Sequence, residues 1–287
     1  MSKIGIVTDS VAQLPVEIAH QYKIGVIPFS IIIDSQSFLD GVDIQAADLY
    51  KRMRSEEIIP RTSQPSLGEY AEFFRQYLAE GFNSICYLTI SEKLSGAFST
   101  ASKAAHLLSE EFPGKRIAVV DSGTATIAQG FLAIQAALAV RQGSSLDELV
   151  RLVNQNKQEV GFIAMLDTLT YLERGGRIGK AAYLAGSLIQ IKPMVTINSE
   201  GVVAPLGNLR GDKHCPEKLV DCLADALGDR VPTQIAVMHA DEDEKAKKLK
   251  QTAEERFDLQ VSIVTSFTPV MGAHAGPGVL GLGYSLT

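Results

Sequence analysis

The side chains best suited to chemistry in this chain are small hydroxyls gathered in two stretches, together with one histidine far along the sequence. Arg61-Thr62-Ser63-Gln64-Pro65-Ser66 sets hydroxyls immediately before a strongly signalled helix. A second set, Ser91-Glu92-Lys93-Leu94-Ser95-Gly96-Ala97, follows an apolar run. His274 lies in Met271-Gly272-Ala273-His274-Ala275-Gly276-Pro277-Gly278, a glycine-rich loop among small residues where a core has no use for an imidazole. Two chemistries fit these residue types. Hydroxyls and an imidazole can surround an anion as hydrogen-bond donors, or a serine can be a nucleophile activated by histidine and oriented by a carboxylate. Ser95 with His274 and Asp9 or Asp121 can be drawn as that triad, but a G-x-S-x-G elbow is absent. The plainer alternatives stay open: hydroxyls that satisfy turns and caps, and a histidine that braces a loop.

The glycine motifs are weaker. Gly276-x-Gly278-x-x-Gly281 matches the dinucleotide fingerprint letter for letter, yet no acidic residue follows at the required distance of about 20 positions, so close turns are expected instead. Residues 175–180 resemble a P-loop but are one residue short, with Ala181 where a Mg²⁺-binding hydroxyl belongs. A nucleotide is not expected there. The loop either cradles an anion beside Arg174, Arg177 and Lys180, as in a phosphate-sensing regulator, or is a solvated basic turn. His20, His106, His214, His239 and His274 show no metal-ligand spacing, so no metal is expected.

The elements that position these residues read as follows. Ser66 and Glu69 form an S-x-x-E capping box, with Tyr70, Phe73, Phe74, Tyr77 and Leu78 at helical spacing behind it. Ser66 is the expected N-cap, and Pro65 biases Gln64 toward extended backbone, leaving Thr62 and Ser63 on a turn. Strand-like runs at residues 3–8, 84–90 and 117–120 end in Asp9-Ser10, Ser91 and Asp121-Ser122, each followed by a helical pattern. Strands alternating with helices imply a parallel α/β sheet whose ligand sites lie beyond the carboxyl ends of its strands. After residue 160 the pattern shifts to strands at 161–166, 194–197, 202–209, 234–239 and 261–267, with a hairpin turn at Glu200-Gly201 and helices at 181–190, 217–227 and 242–257. The fold class is α/β: a parallel-sheet N-terminal domain over residues 1–160 and a second, α+β C-terminal domain over 161–287.

Composition excludes several classes. With 46% hydrophobic and 21% charged residues, 287 residues suffice for well-cored domains. Net charge is −6 and the basic residues are scattered apart from one run at 245–250, leaving no footprint for nucleic acid or an anionic membrane. Cys86, Cys215 and Cys222 form neither a disulfide framework nor a zinc motif and fit a reducing compartment. No signal peptide is expected. The longest apolar stretch, 125–140, is broken by Gln129, Gly130 and Gln135, is shorter than the roughly 20 residues of a membrane span, and reads as a buried helix.

Taken in order, Thr8-Asp9-Ser10, Thr62-Ser63-Gln64-Pro65-Ser66, Leu94-Ser95-Gly96 with Ser99, Gly175-Gly176-Arg177-Ile178, Lys192-Pro193 and His274-x-Gly276-Pro277-Gly278 resemble the DegV family. The resemblance runs over nearly the whole chain. It implies a cytoplasmic, bacterial carrier, not an enzyme, that holds one long-chain fatty acid as its ligand, without a cofactor, and presents the carboxylate to the catalytic subunit of a fatty acid kinase. Thr62, Ser95 and His274 are then the carboxylate donors, with Ser63 and the Gly96 amide as support. Arg177 and Arg210 become candidates to steer an acyl phosphate or dock the kinase, although Arg210-Gly211-Asp212-Lys213-His214 departs from the more basic pattern expected. A fatty carboxylate needs a few donors at a pocket mouth and an apolar tunnel behind them, lying between and within the two domains. Residues 31–33, Phe98, Met165 and 184–189 are candidates for its walls, and core packing explains them equally well. The alternative is a serine-type acyl ester or thioester hydrolase using Ser95 and His274.

Overall fold

The computed structural model describes residues 3–184, 191–210 and 214–287. Strand β1 (Ile4–Asp9) leads through a 3-10 turn to α1 (Val16–Tyr22) and β2 (Ile24–Ile27). Next come β3 (Ser30–Ile33), β4 (Gln36–Leu39), α2 (Ala46–Ser55), β5 (Arg61–Ser63), α3 (Leu67–Ala79), β6 (Ser84–Thr89), α4 (Ala97–Glu111), β7 (Arg116–Asp121), α5 (Thr126–Arg141) and α6 (Leu146–Asn156). The remainder is β8 (Val160–Met165), α7 (Thr170–Arg174), a 3-10 segment, β9 (Ile191–Ile197), β10 (Val203–Arg210), α8 (Cys215–Leu227), β11 (Gln234–His239), α9 (Asp243–Arg256), β12 (Val261–Ser266), α10 (Pro269–Ala275) and β13 (Leu280–Ser285).

One sheet is wholly parallel, in the order β2-β1-β6-β7. Another, β10-β9-β8-β13-β11-β12, is antiparallel except for its last pair. A third, small sheet sets β3 between β4 and β5. The α/β class is thus realised as a parallel sheet joined to a mixed one. β6 is buried at every position, as its unbroken apolar run requires of a strand covered on both faces. Helix α5 touches β1 and β6 of the parallel sheet and β8 and β13 of the mixed sheet, so it is apolar on nearly all sides because it is enclosed. Among the described residues no helix is long and apolar enough to cross a membrane.

The sequence signals and the structure part company at four places. Thr62 and Ser63 lie on a strand rather than a turn, because β5 pairs antiparallel with β3 (Ile31 opposite Thr62). His274 sits on helix α10, not in a loop; Pro269 suits its first turn and the left-handed Gly276 ends it. β13 fills the centre of the mixed sheet even though its Leu-Gly-Leu-Gly run gives no β signal. The expected helix at 181–190 is a 3-10 segment over Gly179–Leu184, and the rest of that stretch lies outside the described residues.

Candidate ligand-binding site

Helix α10 is fixed before it presents anything. The buried Asp40 carboxylate accepts the Val270 N–H at its first turn (3.2 Å), and the Tyr50 hydroxyl donates to the Phe267 carbonyl just ahead of it (2.7 Å). Gly272 lies so close to Tyr50 that a Cβ there would stand 2.4 Å from the ring. This docking brings the His274 Nε2 to 2.7 Å from Thr62 Oγ1 on β5. On the other side of the ring Nδ1 is buried against Gly175 without a partner among the described residues, and the missing Cβ of Gly175 makes the approach possible. Burial, helped by the nearby Arg177 charge, pushes the His274 pKa down to about 4, so the imidazole is neutral at physiological pH. With its proton on Nε2 it donates to Thr62, which leaves the threonine hydroxyl hydrogen for a third party.

Ser95 stands at the entry to α4. Its Oγ accepts the Ala97 N–H (3.2 Å) and donates to Gln64 Oε1 (2.8 Å), while Gln64 Nε2 donates to Thr100 Oγ1 (2.8 Å). Gly96 does not line the cavity; it lies under the Gln64 amide, leaving room for it. Ser63 lines the cavity and donates to the Gln64 carbonyl (3.0 Å). Arg177 is anchored through Nε to the Leu94 carbonyl (3.0 Å) and through Nη1 to the Gly175 carbonyl (2.6 Å), with donors to spare. The Arg210 side chain lies outside the described residues.

Thr62, Ser63, Gln64, Ser95, Arg177 and His274 form the polar end of a cavity of about 300 Å³. Apart from Thr126 its remaining walls are apolar, among them Phe29, Phe162, Ala164, Val195, Val203 and Phe267. Strand alternation decides which residues reach it: Phe162 and Ala164 of β8 face the cavity, whereas Ile163 and Met165 face the separate core under α8 and α9. Met165 therefore does not line it, nor do Phe98, Leu184 and residues 31–33, and 185–189 lie outside the described residues. At the polar end Thr62, Arg177 and His274 also border an outer groove with Arg61 and Arg174. The basic loop thus joins the same site rather than making a second one; Lys180 pairs with Glu200 (2.7 Å).

A hydrolase constellation is not assembled. His274 faces Thr62, not Ser95. Asp9 is taken by the Ile90 and Val11 N–H groups and by Gln129, and burial raises its pKa to about 6. Asp121 accepts the Glu92 and Gly123 N–H groups. Gln64 is the site residue that motif reading missed; its only sequence signal is its place inside the hydroxyl stretch.

A mainly apolar cavity with hydroxyls, a neutral imidazole and a guanidinium gathered at one end defines a binding protein for an amphipathic anion. The chain belongs to the DegV family, whose model, described as "Uncharacterised protein, DegV family", matches residues 3–287. A DegV domain-containing protein of Listeria innocua is 32% identical over 284 residues, covering 99% of both chains. Among solved structures, a fatty-acid-binding DegV family protein from Thermus thermophilus superposes with a TM-score of 0.89 at 28% identity, covering 99% of each chain. A stearic-acid-binding protein from Eubacterium ventriosum gives 0.88 at 26% identity, over 99% of this chain and 98% of that one.

Proposed function

We propose that this protein is a carrier for one long-chain fatty acid, with the acyl chain in the apolar cavity and the carboxylate between Thr62, Ser95 and His274. The observation that carries the reading is the pairing of Thr62 with His274 at the polar end of a mainly apolar cavity. Burying the methylenes of such a chain is worth roughly 0.8 kcal/mol each, ample to offset the costs of ordering the ligand, so the donors orient the headgroup more than they supply affinity. Ser63 supports from the rim, and the Gly96 position makes room for Gln64 instead of supplying an amide.

The outer groove with Arg61, Arg174 and Arg177 is suited to the added charge of an acyl phosphate, as befits a cytoplasmic carrier that presents its carboxylate to a separate kinase subunit. Arg210 belongs to the same proposal as a partner contact. The fatty acid then lies between the part up to residue 160 and the part from 161 onward. Native mass spectrometry after organic extraction and reloading tests the reading: one oleate or palmitate per chain is expected. Protein that neither retains nor takes up a fatty acid refutes it.

A further inference from the structure

We infer that Gln64 is a positioning residue whose side-chain amide turns over when a carboxylate binds, converting Ser95 from a donor into the protein to a donor to the ligand. The inference rests on the headgroup reading above. A carboxylate only accepts hydrogen bonds. With Gln64 in this orientation the Ser95 hydroxyl hydrogen is committed to Oε1 (2.8 Å), so Ser95 has only lone pairs to offer the cavity it lines. An anion placed there meets repulsion until that hydrogen is released.

The surroundings supply the release. Gln64 joins two hydroxyls, Ser95 at Oε1 and Thr100 at Nε2, both at 2.8 Å. A hydroxyl donates as readily as it accepts, so half a turn of the amide keeps both contacts: Thr100 then donates to Oε1 and Nε2 donates to Ser95 Oγ. Ser95 already accepts the Ala97 N–H, and with the second donor both its lone pairs are filled. Its hydrogen has one remaining direction, toward the ligand. The arrangement parallels the other arm, where a neutral His274 carrying its proton on Nε2 donates to Thr62 and frees the threonine hydrogen. Gly96 makes the turn possible: a Cβ there would stand 3.2 Å from both Gln64 Nε2 and Oε1.

The test uses lipid-stripped full-length protein with oleate and the uncharged oleyl alcohol as probes. Wild type is expected to bind oleate the more tightly; equal binding refutes the headgroup reading and the relay with it. Gln64→Glu, which can accept but not donate, is expected to weaken oleate about 100-fold when Ser95 is present and no more than about 10-fold in a Ser95→Ala background. Equal losses in the two backgrounds, with wild type still preferring oleate, mean charge repulsion alone and overturn the relay while the headgroup reading stands. A second measurement works without a charged variant. The Gln64 side-chain NH₂ resonances are expected to respond to Thr100→Val in the empty protein and to lose that response with oleate bound; an unchanged response overturns the inference.

Discussion

Gly175→Ala is the sharpest single test of how the site is built. Gly175 has φ −74°, a conformation alanine adopts freely, so the substitution carries no backbone penalty. Its whole effect is steric. The new Cβ would stand 2.5 Å from His274 Nδ1 and 3.0 Å from the Tyr171 carbonyl, about 1 Å inside normal contact with the ring. The ring cannot retreat with its helix, because α10 is seated on Tyr50 at Gly272 and held by Asp40 at Val270. It must swing, and a displacement of about 1 Å takes the 2.7 Å contact with Thr62 beyond hydrogen-bond range. Overpacking of this kind costs about 1–3 kcal/mol and the lost bond about 1 kcal/mol. Oleate titration of stripped protein is expected to show affinity reduced about tenfold, with a lower melting temperature. Gly68→Ala on α3 is the matched control: the nearest atom to its Cβ is 4.0 Å away, and the helix gains up to about 1 kcal/mol from alanine. Gly175→Ala protein with wild-type affinity and stability would refute the account of the site.

Other perturbations separate fold from ligand. Ser66→Ala removes a capping box in which Glu69 N–H donates to Ser66 Oγ (3.3 Å) and Ser66 N–H donates to Glu69 Oε2 (2.7 Å), and is expected to lower stability by about 1 kcal/mol with oleate affinity unchanged in the same titration. Asp9→Asn turns an amide NH₂ toward a backbone donor, since both carboxylate oxygens accept an N–H, from Val11 and from Ile90; a loss of about 1–3 kcal/mol in denaturant unfolding is expected. His274 sits below its ordinary pKa of 6.5, near 4, so the unfolded chain binds the extra proton first and stability from this residue drains as pH falls from about 6.5 toward 4. The stability gap between wild type and His274→Asn is therefore expected to narrow across that window, measured by urea unfolding at each pH. Ala164→Leu fills part of the cavity wall on β8, and competition among saturated acids should show the optimum moving to shorter chains.

Where local pattern and tertiary demand agree, the sequence was readable. α3 announced itself through its capping box and aromatic stripe, and β6 through an apolar run that only a doubly covered strand carries. β13 gave no signal because glycines occupy positions 281 and 283, where a Cβ would meet the Ile163 carbonyl at 2.7 Å and the Ile127 side chain at 2.1 Å; close packing between elements, not strand propensity, chose them. The same reason hid α10, whose Gly272 answers to Tyr50. In the site, Thr62, Ser95 and His274 were legible as residue types that suit an anion. Gln64 was not, because its importance arises only when α4 brings Ser95 and Thr100 to either side of its amide. The cavity walls were illegible for a related reason: apolar residues on opposite faces of β8 look alike in sequence and serve different cores.

The 212 positions separating Thr62 from His274 also set a clock. At about 5–20 residues per second, a ribosome that has made the threonine needs on the order of 10–40 s more before the histidine exists. The parallel sheet can assemble in that interval, since its strands all lie within residues 4–121, but the polar end of the cavity cannot. On the proposed carboxylate site, a nascent chain lacks the pair that would hold a headgroup until α10 has been synthesised and seated, so a fatty acid would enter a finished protein.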